Sequence, residues 1–213
     1  MLLIGMFDSP FVRRVAISLR LLGIPYEHAN WSVGRDFERI RAYNPLGRVP
    51  TLVLDDGEAL LESAAILDHL DERAGPGRAL LPPSGPERRA ALRLMAIATG
   101  GMEKAVAQVY EVAFRPPEKR HAAWVERCRG QMLAAAGELE RACAARGTAP
   151  WLLGARCTQA DITAACAFTF MADAGLLPAG PTPFPAWAAH AARCEAMEEF
   201  RAVRAPWSAP KSG

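Results

Sequence analysis

The change of hydrophobic period across residues 76–86 constrains this chain more than any other feature. The stretch reads P-G-R-A-L-L-P-P-S-G-P, and prolines and glycines at that density mark a linker rather than a helix or strand. Before it, short apolar runs alternate with helical stretches. Leu2–Phe7 reads as a strand, and Pro10–Leu22 as a helix whose Val12, Val15, Ala16, Leu19 and Leu22 share one face, with Gly23 as its stop. Tyr26–Trp31 alternates like a strand, and Arg35–Tyr43 is a short charged helix. Thr51–Leu54 and Ala59–Leu61 flank the turn signal D-D-G, and a further helix runs from Ser63 to the Gly75 break. The order β-α-β-α-β-β-α predicts an α/β unit over residues 1–75. After the linker the period is helical almost throughout: Glu87–Phe114, Glu118–Arg146, Thr158–Ala174, Phe184–Arg193 and Glu195–Arg201. Residues 87–213 are therefore expected to form an all-α unit.

Composition narrows the function classes. The 213 residues are 51% apolar and 23% charged with a formal net charge of +2, which is ordinary for a globular protein and gives no reason to expect nucleic acid or an anionic membrane as partner. The longest later apolar run, Ile162–Ala172, falls short of the ~18 residues a membrane span needs, and no basic leader precedes the first apolar run. A cytoplasmic protein is expected. All five cysteines lie beyond residue 127 without a C-x-x-C pair, and the four histidines are scattered. Neither a disulfide framework nor a metal site is expected.

Three short segments carry chemistry. In D8-S-P-F-V-R-R, Ser9 suits an N-cap and Pro10 the first helical position. Arg13 and Arg14 then put positive charge at the positive end of the helix dipole, so an anion is expected nearby. In N44-P-L-G-R-V-P50 a turn leads to a proline immediately before a strand. In L61-E-S63, a carboxylate precedes a serine at a helix start. Glu62 and Ser63 can be read as a first-turn charge and a cap, or as partners of an ammonium and a carboxylate. Arg48 can be read as a solvated turn residue or as an anion partner. T158-Q-A-D161 has the form of a capping box and is read as a folding element.

These segments fall in the order and spacing of the cytosolic glutathione transferases, with serine-type bacterial members as the nearest likeness, and the chain resembles that family over nearly its whole length. The resemblance implies a thioredoxin-like N-terminal domain, a linker and an all-helical domain that supplies an electrophile pocket. It implies glutathione as cosubstrate, no metal, a homodimer and a detoxifying role. Ser9 is then the group that stabilises the glutathione thiolate, with Arg13 one turn on adding positive charge, or else a backbone N–H at the helix N-terminus does this work. Ser9, Phe11, Arg48, Val49, Pro50, Glu62 and Ser63 are the implied glutathione residues, with the Val49–Pro50 bond cis. Met6, Phe11, Met102, Tyr110, Phe114 and Trp124 are the expected electrophile pocket, whereas Trp151, Phe168, Phe170 and Trp187 are assigned to the core. Two other readings stay open: a glutathione-dependent isomerase or dehalogenase, and a non-catalytic binding module on the same fold. Against the isomerase branch, its S-S-C-S-like opening is absent; against a reductive dehalogenase of the cysteine type, no cysteine stands near position 9.

Overall fold

The computed structural model describes residues 1–209. Its elements run β1 (Leu2–Ile4), α1 (Pro10–Leu21), β2 (Glu27–Ala29), α2 (Phe37–Arg41), β3 (Thr51–Val53), β4 (Ala59–Leu61), α3 (Ser63–Ala74), α4 (Gly85–Ala113), α5 (Ala122–Ala145), α6 (Gln159–Asp173), α7 (Pro185–Glu195) and α8 (Glu198–Arg201). The four strands form a mixed sheet in the order β2-β1-β3-β4, with β1 parallel to β2 and antiparallel to β3. This is the thioredoxin-like arrangement followed by an all-helical part. The strands are shorter than the apolar runs suggested, and the second shrinks from Tyr26–Trp31 to three residues.

Local chemistry sets the boundaries. α1 ends in a Schellman motif: the Gly23 N–H bonds the Arg20 carbonyl, the Ile24 N–H bonds that of Leu19, and Gly23 takes φ 64°, a conformation that costs glycine nothing. β3 and β4 close through Asp55-Asp56-Gly57, where the Leu54 N–H meets the Glu58 carbonyl at 2.8 Å. α4 begins at Gly85, inside the stretch read as linker, and α5 begins at Ala122 rather than at Glu118. Pro116 and Pro117 open a short 3-10 turn there, and the His121 imidazole caps α5 by accepting from the Trp124 N–H at 3.1 Å.

α6 is buried on nearly every side, as a helix apolar all round must be. It packs between α1 on one side and α4 and α7 on the other. Its start is a true capping box: the Asp161 carboxylate accepts from the Thr158 N–H and hydroxyl, each at 2.8 Å, and also from the Leu152 N–H. One core cluster joins Leu3, Val12, Val15, Leu52 and Ile66 to Ile162 and Cys166 of α6. The sheet unit and the helical unit thus share buried surface through α1, and the site lies at the edge of that seam.

Candidate functional site

The chain turns sharply between β1 and α1. Gly5, at φ 132°, lets this turn pass so close to its neighbours that an added Cβ would sit 2.5 Å from Val12 Cγ2 and 2.9 Å from Val49 Cβ. The same contact draws the two segments that matter together. Ser9 follows as the N-cap of α1, its Oγ accepting from the Val12 N–H at 3.4 Å while Pro10 takes the first helical position. A hydroxyl that accepts at a cap keeps its own proton for another partner. Opposite it, Val49 precedes a cis bond to Pro50, ahead of the β3 ladder that starts at Thr51.

Ser9 and Val49 line one cavity of about 1080 Å³ that opens between the sheet unit and α4. Of the residues that the sequence singles out, Met6, Phe11, Arg48, Tyr110 and Phe114 also line it. Met102 does not: it is 0% exposed and packs against α5 and α6 residues such as Met132 and Met171. Trp124 does not either, standing 44% exposed on α5 with the Lys104 ammonium over its ring. The reason is the shape of α4, which has two apolar faces. Tyr110 and, just past the helix end, Phe114 face the cavity, Ala98, Met102 and Ala105 face the helical core, and Val106 and Val109 lie between and touch both.

Sequence reasoning missed several aromatic walls. Trp31 and Phe37 come from around α2, and Phe170 from α6, while Trp207 comes from the final described segment. Phe170, a core residue by sequence, does pack in the core, but it also meets the Trp207 ring edge-on at 5.3 Å on the cavity side. That final segment is tied to the β1–α1 turn by the Ser208 N–H, which donates to Asp8 at 3.2 Å. Burial pushes the Asp8 carboxyl up from its ordinary value, with that bond acting against it.

Pro50, Glu62 and Ser63 sit beside the cavity rather than on its wall. β3 and β4 pair Thr51 with Leu61, and Arg48 reaches back to the Glu62 carboxylate at 3.2 Å. Glu62 holds φ 65°, the left-handed region unusual for a residue with a side chain. It precedes α3 without capping it by its side chain, so the first-turn N–H groups of α3 take no bond from that carboxylate. Ser63 is buried at the start of α3.

The arginines of α1 behave differently from expectation. Arg13 turns away from Ser9: Nη1 and Nη2 each meet the Glu195 carboxylate at 2.6 Å, and Nη2 and Nε also donate to the Phe200 and Val203 carbonyls. Its anion is internal, so it adds no charge at the Ser9 hydroxyl. Burial would push the Glu195 carboxyl up, but the Arg13 bonds outweigh it and hold the group below the usual carboxylate range. Arg14 is also buried and donates to Ser63 Oγ at 2.8 Å. Among the described residues no cluster of His, Cys, Asp and Glu could hold a metal ion, and no helix is long and apolar enough to cross a membrane.

Known proteins share this arrangement. A solved glutathione S-transferase of Methylobacterium radiotolerans, in complex with glutathione sulfonate, superposes with a TM-score of 0.86 at 27% identity, covering 100% of this chain and 95% of that one. Among curated relatives, the uncharacterized GST-like protein YibF of Escherichia coli is 34% identical over 113 residues, 53% of this chain and 55% of its own. A maleylacetoacetate isomerase of Pseudomonas aeruginosa is 44% identical over 92 residues, 41% of this chain and 42% of its own. The chain spans about half or less of the length of such relatives. Residues 3–79 match the family model for the glutathione S-transferase N-terminal domain, and residues 122–193 the one for the C-terminal domain. With both models matched in order over well over half of its length, the chain belongs to the glutathione S-transferase family.

Proposed function

We propose that this protein binds glutathione, stabilises its thiolate with the Ser9 hydroxyl and conjugates it to a small apolar electrophile held in the aromatic-walled cavity. The observation that carries the reading is the Ser9 geometry. Its oxygen accepts a cap bond while its proton stays free, at the wall of the cavity that Val49 also lines. A free thiol with pKa ≈ 8.5 is mostly protonated at neutral pH. A hydroxyl donor above the N-terminus of α1 favours the charged form and lowers that value, and Arg13 takes no part. The Val49 N–H and C=O would pair with the cysteinyl backbone of glutathione, Arg48 would meet its glycine carboxylate, and Glu62 and Ser63 its γ-glutamyl end. Phe11 would contact both ligands. The sulfur then attacks carbon, and the leaving group departs with its electron pair.

The proposal extends to the whole molecule. The functional halves divide at residues 76–86, and the protein works as a cytoplasmic homodimer with a detoxifying role. Leu92, Val112 and Trp124 are exposed on α4 and α5, which supports a second copy packing there. A second reading, glutathione-dependent isomerisation, has its own support in the 44% identity to the isomerase. The same thiolate would add to a double bond and leave again, returning glutathione unchanged.

Ser9→Ala tests the central assignment. Thiolate absorbance of bound glutathione against pH should shift upward in the variant, each pH unit being about 1.36 kcal/mol of lost thiolate preference. Turnover with an aryl halide should fall, while the fold loses only about 0.5–2 kcal/mol for the missing cap. Parental titration and turnover in a folded variant would hand activation to the helix N-terminus. Consumption of glutathione separates conjugation from isomerisation.

A further inference from the structure

Arg14 is a buried cation to which the folded chain gives no counter-ion. It is 1% exposed, and its bonds go to two hydroxyls: Nη2 to Ser63 Oγ at 2.8 Å and Nη1 to Thr163 Oγ1 at 3.3 Å. Nε finds no acceptor among the described residues, and no carboxylate there forms an ion pair with it. Glu62, whose charge does act on it, is half exposed and bound to Arg48 instead. Burial pushes the guanidinium down to about 10. Charges taken out of water are ordinarily paired, because desolvation outweighs anything two neutral hydroxyls return.

The shorter of its two bonds reaches the start of a helix. Ser63 opens α3, whose preceding residue caps nothing with its side chain, so the positive end of that helix, exposed at Ala64 and Ala65, is open to an anion, with the buried Ser63 hydroxyl directly behind it. Ser63 Oγ accepts from Arg14 and can donate its own proton outward, a relay in which the guanidinium makes the hydroxyl a stronger donor.

We propose that Arg14 is a positioning residue of the γ-glutamyl subsite, left without a carboxylate by the chain because the α-carboxylate of bound glutathione, seated on Ser63 and the N-terminus of α3, supplies it. This rests on the glutathione reading above. What it adds is that selectivity for a ligand whose γ-glutamyl end keeps that carboxylate originates behind Ser63, in Arg14.

Calorimetric titration tests this with two ligands: glutathione, and the analogue in which the γ-glutamyl group is replaced by γ-aminobutyryl and so lacks only the α-carboxylate. The parent is expected to prefer glutathione by at least about tenfold, the range of one lost charged hydrogen bond or more. Arg14→Met should lose most of that preference by weakening glutathione alone, and the ligand-free variant should melt no lower than the parent because an unpaired buried charge has gone. Arg14→Lys, which keeps charge but not the fork, should fall between, and it reads the same preference if the methionine variant does not fold. A variant that keeps the parental preference, or weakens both ligands equally, overturns the proposal. If the parent binds both ligands alike, the glutathione reading stands and the role of Arg14 falls. If it binds neither, both fall.

Discussion

Arg13 and Arg14 are neighbours on one helix, both removed from water, and the chain treats them in opposite ways. Arg13 receives a carboxylate in bidentate geometry from α7, along with two carbonyls. Arg14 receives two hydroxyls and an empty position at Nε. The first arrangement is complete without any other molecule and holds the sheet unit to the helical one. The second leaves a buried cation without a carboxylate of its own. A fully paired buried charge reports on the fold, whereas the charge of Arg14 is the one proposed above to be answered by a ligand.

The comparison breaks most sharply at Arg13. Arg13→Met leaves Glu195 partly buried without its partner and should cost about 3–5 kcal/mol, a fall in Tm of roughly 6–20 °C for a chain of this size. Combining it with Glu195→Leu should recover much of the loss, since removing both charges is far milder than removing one. Denaturant unfolding of both variants checks this, and an Arg13→Met protein as stable as the parent would erase the contrast with Arg14.

Acid titration sharpens it next. The Glu195 carboxyl is held below its ordinary 4.5 by Arg13, so its protons bind more tightly in the unfolded chain. Its contribution is fully present above about pH 4.5 and is lost as pH falls through the depressed folded value. Unfolding free energy followed downward from pH 7 should decline below about pH 4.5, and the decline should be shallower in Glu195→Gln. No comparable acid term belongs to Arg14, which has no carboxylate.

The smallest effect should come from a third arginine. Arg48 and Glu62 pair at 3.2 Å with about half of each side chain in water, and Arg48→Ala should change the stability of the ligand-free protein by about 0–1 kcal/mol. Thermal melts decide it. A loss as large as that of Arg13→Met would mean that burial is not what separates the three.

Much of this architecture was legible in the sequence because it is written in local chemistry. Pro10 after Ser9, Gly23 after Leu22 and Asp161 three residues after Thr158 fix their boundaries through bonds made within a few residues. The site was legible where turns and helix starts present it. It was not legible on α4, where an apolar stripe can be assigned to one face only if the helix has one. Met102 and Tyr110 belong to adjacent stripes, about 80° apart around the helix, and periodicity gives both the same weight. Trp207 offered no pattern at all, since it reaches the cavity through an irregular segment. The two arginines form one patch in sequence, because the partners that separate them lie some 180 and 50 positions away.

The Arg13 clamp also sets a timetable. Its carboxylate lies 182 residues downstream, so at a synthesis rate of ~5–20 residues per second the first helix waits roughly 10–35 s for the last large one before its charge can be neutralised. Until then the sheet unit has every strand it needs and still carries a bare cation on the side that must be buried. Burying that cation costs least once its carboxylate has been made, so the seam between the two units is a contact that only the late part of the chain can complete.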